Sequence, residues 1–157
     1  MNLESLKFVK NIDDESKWAY RNWEKGTEQK LNWSKGDGNE KNANKAQVGD
    51  LILLVQRPDH ISEARVTHLV EVVSVSSQII DDGHWGIIRE VSVIWVADFD
   101  CESFIPRDQD VFGWNRKRPE GTMIVELENL KKGTFLELWH SLEIFQRHVA
   151  GMLGLTI

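Results

Sequence analysis

A single cysteine, Cys101, stands in a chain of 157 residues. It excludes an internal disulfide and is too isolated for a zinc cluster, which fits a reducing cytoplasm. Prolines number three, so collagen-like and proline-rich recognition segments are excluded. No apolar run approaches the roughly 20 residues a bilayer requires. Met1 is followed by Asn, Leu, Glu and Ser rather than a basic and then apolar leader, so the expectation is a soluble cytoplasmic protein without a secretion signal. No Walker motif, dinucleotide-binding glycine fingerprint or G-x-S-x-G elbow occurs.

Basic residues are outnumbered, 19 Lys and Arg against 25 Asp and Glu, for a net charge of −6. That balance argues against coating nucleic acid through bulk electrostatics, because non-specific affinity comes chiefly from phosphate neutralisation. The charge is unevenly spread. Residues 17 to 45 hold seven basic against four acidic side chains, and 107 to 118 hold four against two. Residues 46 to 106 hold three against ten. The length predicts one domain, 1–157, with a core that needs no staples.

Tryptophan is what the chain has in excess: seven, against one tyrosine. Trp18, Trp23 and Trp33 fall in one polar, lysine-bearing stretch. Indole stacks well on flat rings and faces cations, so tryptophans interleaved with Lys and Asn suit a nucleobase pocket beside phosphate-binding charge. The same three also suit large apolar anchors that pack an N-terminal segment onto the body.

Along the chain, Leu6 to Ile12 alternates as a short opening strand. Asp13 to Ser16 then supply a helix start, which predicts a short helix carrying Trp18, Asn22 and Trp23. Gly26 to Gln47, centred on GDGNEKNANK, reads as a long loop. LILLVQR after Gly49-Asp50 reads as a strand buried on both faces. Ala64 to Ser76 and Gly86 to Ala97 read as a hairpin around Asp81-Asp82-Gly83, with Val91, Val93 and Trp95 on one face. Phe104 to Pro119 reads as an irregular segment exposing Trp114 beside Arg116, Lys117 and Arg118, and Gly121 to Leu127 as a further short strand. Thr134 to Glu137 has the pattern of a capping box. Behind it, Leu138, Leu142, Phe145 and Val149 form an apolar stripe at helical spacing. The expected fold class is α+β: a small curved, mostly antiparallel sheet or barrel, flanked by an N-terminal short helix and a C-terminal amphipathic helix.

The histidines give little support to catalysis. His140 and His148 lie two turns apart on the expected final helix and cannot share a metal. His68 reads as a packed strand residue, and His60 and His84 fall in turns. Asp81-Asp82 and Asp98 with Asp100 are ordinary at turns and strand ends. Neither a metal nor a cofactor is expected.

The order of these elements resembles the EVE branch of the PUA-like superfamily, relatives of the YTH domain. The resemblance is carried by Lys7 to Ile12, Trp18 to Trp23, Val48-Gly49-Asp50-Leu51-Ile52, Val66 to Val73 and Arg89 to Trp95, and covers roughly residues 6 to 127. It implies a PUA-like barrel that holds a modified base, flipped or single-stranded, in an aromatic cage. It assigns Trp18, Trp23 and Trp85 to the cage and Asn22 to the base edge; charge and loop context add Trp33 and Trp114. Lys35, Lys41, Lys45, Arg116, Lys117 and Arg118 are the expected phosphate contacts. The function expected is therefore a non-catalytic module whose partner is a nucleic acid or nucleotide with a modified base. Two rivals stand beside it: a small enzyme acting on RNA or a nucleotide, and a Trp-rich face that meets a protein partner.

Overall fold

In this computed structural model, residues 1–36, 38–80, 83–116 and 124–156 are described. LILLVQ is the centre of the architecture, because every one of its six residues is buried. This strand, β3 (Leu51–Gln56), lies between β1 (Leu6–Ile12), to which it runs parallel, and β4 (Arg65–Val72), to which it is antiparallel. Its alternate side chains feed two cores. Leu51, Leu53 and Val55 point to one, and Ile52 and Leu54 to the other. A strand covered on both faces must be apolar throughout rather than alternating.

The remaining strands are β2 (Glu28–Trp33), β5 (Gln78–Ile79), β6 (Ile87–Val96) and β7 (Val125–Glu126). They complete a mostly antiparallel sheet in the order β2-β6-β4-β3-β1-β7, with β5 paired to β6. The sheet is strongly curled. In a flat sheet β2 and β1, four steps apart, would stand roughly 19 Å from each other. Instead Lys10 of β1 places its ammonium 5.1 Å from the ring centre of Trp33 on β2. Phe8, Leu31 and Trp33 share one core with Ile52 and Val91. The hydrogen-bonded path itself stays open from β2 to β7.

The other core lies beneath α2 (Asp108–Phe112), α3 (Thr134–Trp139) and α4 (Leu142–Leu153), through Phe112, Phe135, Phe145 and Val149. A short helix, α1 (Asn39–Ala43), packs Ala43 into the opposite core.

Several expectations are corrected. The segment carrying Trp18, Asn22 and Trp23 is a series of turns and not a helix. The stretch expected as one loop holds both β2 and α1, because Leu31 and Trp33 alternate into the core on an otherwise polar edge strand. The C-terminal helix is two helices, broken at His140, whose φ of 64° lies in the left-handed region. Thr134 is not the cap: Gly133 (φ 100°) precedes α3, and Ser141 Oγ accepts from Ile144 N at 3.3 Å to start α4. His140 is therefore off the helix, and Leu138, expected in the buried stripe, is 45% exposed. Of the strand expected at 121 to 127, Val125–Glu126 is a strand. Residues 121 to 123 lie outside the described residues, as does the Asp81-Asp82 turn. β1, β3, β4 and β6 fall within the runs that alternation and β-branched content marked, but β4 ends at Val72, β5 was not expected, and an irregularity in the β4–β6 pairing takes Trp95 off the face of Val91 toward the opposite core. No helix among the described residues is long and apolar enough to cross a membrane.

Candidate functional site

At the C-terminal ends of β1 and β3 the chain leaves the sheet in the turns of residues 13 to 26. Gln56, the last residue of β3, fastens them. Its side-chain oxygen accepts from Ala19 N at 3.1 Å, and its amide donates to Asp14 O at 2.8 Å and Lys17 O at 2.6 Å. A buried glutamine, 2% exposed, thus satisfies three backbone groups of a segment that has no ladder of its own.

A second fixing point comes from β4. A bulge leaves Thr67 without a partner between the pairs Leu54–His68 and Val55–Val66. Bulges re-aim side chains, and here the consecutive residues Thr67 and His68 are both buried. His68 Nε2 lies 3.0 Å from the carbonyl oxygen of Tyr20, and Nδ1 lies 2.8 Å from Thr67 Oγ1. A carbonyl only accepts, so Nε2 carries the proton and Nδ1 accepts from the threonine hydroxyl. Burial pushes the His68 pKa down to about 4, so the ring is neutral at ordinary pH.

Over His68 lies an aromatic wall. Tyr20 and Trp23 stack with ring centres 3.9 Å apart and planes 18° from parallel. The edge of the pair meets His68, with Trp23 at 5.4 Å. Burial raises the Tyr20 hydroxyl to about 12, keeping it protonated.

Trp18 closes the other side. Buried on Phe99 with Ala97 and Ile105, it donates from Nε1 to Glu102 Oε1 at 2.6 Å. The same oxygen lies 2.8 Å from His60 Nε2. These two hydrogen bonds, Trp18 first, hold the Glu102 carboxyl below its ordinary range. Arg21 pairs with Asp100 at 2.9 Å on the outer rim.

The result is a cleft of about 520 Å³ whose lining includes Lys17, Trp18, Asn22, Trp23, His60 and Glu102. Tyr20 and Trp23 also line a neighbouring cleft with Lys30 and Asn32, so the stacked pair is a wall between the two. Chemically the larger cleft offers aromatic surface, one amide able to donate and accept, one carboxylate, one imidazole and a lysine.

The structure thus brings Trp18, Asn22 and Trp23 together and leaves the other expected ligand residues elsewhere. Trp33 is 1% exposed in the core, so its ring is not available to a ligand. Trp85 packs against His84 in the turn before β6 and does not line the cleft. Trp114 is half-buried against Phe112, beneath α2 and α4.

The expected phosphate contacts are also dispersed. Lys45 lines a separate cleft with Lys7 and Asp50, at the start of β3. Gln56 fastens the aromatic turns at its other end, five residue steps or about 17 Å away. Lys41 lies on α1, and exposed Lys35 precedes it, its backbone N bonded to His84 O at 2.6 Å. Arg116, expected to be free, is 4% exposed and bound to Asp108, because burial of a guanidinium demands a paired anion. Lys117 and Arg118 lie outside the described residues.

Sequence reasoning missed Tyr20 and Glu102 and gave His60 no support. Tyr20 had a signal, being the chain's one tyrosine and three residues from Trp23. Glu102 had none, since its partners Trp18 and His60 are 84 and 42 residues away. No group of three or more His, Cys, Asp or Glu able to hold a metal occurs among the described residues.

No family model and no curated protein matches this chain. A solved structure of a hypothetical protein from Leishmania major is similar to it at a TM-score of 0.44 and 12% identity, covering 87% of this chain and 96% of that one.

Proposed function

We propose that this chain is a non-catalytic binding module for a modified base or nucleotide, built on a PUA-like fold of the EVE type. The observation that carries the reading is the cleft that gathers Trp18, Asn22 and Trp23 on a segment fastened by Gln56 and His68. A fastened wall loses little entropy on binding, the main requirement for affinity from a small contact area.

A planar ring entering this cleft meets the Tyr20–Trp23 wall. Stacking on an aromatic side chain contributes about 1 to 3 kcal/mol per base. A methyl group on the ring adds apolar area at little desolvation cost. Asn22 is able to bond a donor and an acceptor on one base edge, and Glu102 accepts from an amino group. Lys17 and Arg21 replace the more distant Lys35, Lys41 and Lys45 as backbone contacts in this reading.

Titration with short oligonucleotides, modified and unmodified, followed by tryptophan fluorescence at two salt concentrations, tests it. Saturable quenching that prefers the modified base and survives moderate salt is expected. Absence of any response, or a response equal for all bases and abolished by salt, would overturn the reading.

One observation favours an enzyme instead: His60 and Glu102 form a histidine–carboxylate pair inside the cleft. Such a pair orients an imidazole for proton transfer. RNA cleavage by pure protein, abolished in His60→Ala, would establish that alternative.

A further inference from the structure

The charges around the aromatic cleft are unevenly answered. Arg21 pairs with Asp100 at 2.9 Å, and Lys17 lies close enough to Asp14 to act on its carboxyl. Each cation of the lining thus has an anion beside it. Glu102, the carboxylate of the lining, has no such partner: it bonds the His60 imidazole and the Trp18 indole, and Arg21 reaches it only as a distant charge, the weakest influence on it. Both bonds fall on Oε1. Oε2 makes none among the described residues, and it is not one of the polar atoms sealed in without a partner. With the side chain 39% exposed, this oxygen is open to a ligand.

An open carboxylate oxygen is solvated by water, and a flat ring that enters the cleft strips some of that water away. Charge that loses water without compensation is costly. A neutral ring returns at most a neutral donor. A ring that bears positive charge returns an ion pair whose hydrogen bond is roughly twice as strong. The aromatic wall selects in the same direction. Tyr20 covers one face of half-buried Trp23, so the opposite face and the edge are what remain for a ligand, and indole is the best side chain for facing a cation. Carboxylate and indole therefore ask for one property, positive charge spread over a flat ring.

We infer that the cleft selects bases methylated on a ring nitrogen, which carry a fixed positive charge, with Trp23 facing the ring and Glu102 Oε2 accepting from its amino group. The inference rests on the base-binding reading of the same cleft and names the class of base. Methylation at a ring nitrogen that has no hydrogen to lose, as in 3-methylcytosine, leaves the ring cationic at neutral pH. Methylation at carbon, as in the isomeric 5-methylcytosine, leaves it neutral. The two have the same atoms and the same amino group, and the charge separates them.

Fluorescence titration of the full chain at neutral pH tests the inference, with short single strands that carry one 3-methylcytosine, one 5-methylcytosine or one unmodified cytosine at the same position. The 3-methyl base is expected to bind at least about tenfold more tightly than its isomer. A strand with 3-methyluracil, which has the methyl group in the same place and no charge, should bind as weakly as the 5-methyl strand. Glu102→Gln keeps an oxygen to accept from Trp18 and removes the charge, so it should bring the two isomers to within about twofold of each other. Added salt should narrow the wild-type preference, because screening weakens an exposed charge pair and leaves stacking in place. Equal binding of the isomers, both tighter than cytosine, would overturn the selection by charge and leave the base-binding reading standing. No response to any base would overturn both, and saturation by a trimethyllysine peptide in that case would assign the cleft to a protein tail.

Discussion

His68 Nε2 donates to the carbonyl oxygen of Tyr20 at 3.0 Å, so a buried strand residue fixes the backbone of the residue whose ring backs Trp23. Neutral and charged imidazole can both make this bond, which by itself favours the charged ring; burial outweighs it and holds the folded pKa at about 4 against an ordinary 6.5. Between these values the unfolded chain binds a proton that the folded chain refuses. Stability is therefore fully present above pH 6.5 and falls as the pH drops toward 4, by up to about 1.4 kcal/mol per unit. Urea denaturation at a series of pH values should show this slope, and His68→Gln should lack it. An unchanged slope in the variant would assign the acid sensitivity to other groups.

Gln56 makes a prediction about function through a residue that need not touch a ligand. Gln56→Leu keeps much of the volume and strands Ala19 N, Asp14 O and Lys17 O. Each unsatisfied backbone group costs about 1 to 3 kcal/mol when it stays buried. The turns are expected to loosen rather than remain buried unpaired. Hydrogen exchange at Ala19 should accelerate, and oligonucleotide affinity should fall although Trp18 and Trp23 are intact. Exchange at the wild-type rate would show that Gln56 does not hold the turns.

These two residues also explain what the sequence made legible. β1, β3, β4 and β6 are long runs whose apolar alternation or continuity reports burial directly. β2 was hidden because EQKLNW buries only Leu31 and Trp33, too few to show a period. The helix expected at Trp18 to Trp23 failed because its side chains are spent on tertiary partners: Trp18 on Glu102, Tyr20 and Trp23 on His68. Of the site, Trp18, Asn22 and Trp23 were readable because they are near one another in sequence. His60, His68 and Glu102 are not, and only the sheet topology brings them there.

Lys10 gives the fold an alkaline signature. Its ammonium is buried beside Trp33, and desolvation lowers the pKa from 10.5 to about 7, partly opposed by Asp13. Above pH 7 the folded lysine sheds a proton that the unfolded chain keeps until 10.5, so stability should rise with pH across this window. Two units of pH within it correspond to roughly 2 to 3 kcal/mol. Lys10→Met should abolish the rise and raise stability near neutrality, as measured by chemical denaturation. A flat profile in the wild type would mean that the ammonium finds enough compensation to stay charged.

Asp108 and Arg116 form a buried ion pair, with side-chain exposures of 5% and 1%. Removing one partner of such a pair costs about 3 to 5 kcal/mol, since the other is left charged in a low-dielectric setting. Asp108→Ala should show that loss in thermal or denaturant unfolding. Adding Arg116→Met should recover much of it by removing the stranded charge. A single variant that loses less than about 1 kcal/mol would show that Arg116 reaches water by another rotamer.

Glu102 is held low by Trp18 Nε1 first and by His60 second, and this order is measurable. Trp18→Phe retains an aromatic ring to pack on Phe99 while deleting the N–H that donates to Oε1 at 2.6 Å. The carboxylate then loses its principal donor, and its pKa should rise toward the ordinary carboxylate range, followed by carboxyl carbon NMR through an acid titration. His60→Ala should produce a smaller rise in the same direction. Because a protonated Glu102 presents an O–H where the carboxylate presented an acceptor, Trp18→Phe should also weaken binding of an amino-bearing base more than of a keto base as the pH falls. An unshifted Glu102 in Trp18→Phe would mean that the indole hydrogen bond is absent in solution, and with it the link between the buried tryptophan and the acceptor that faces the cleft.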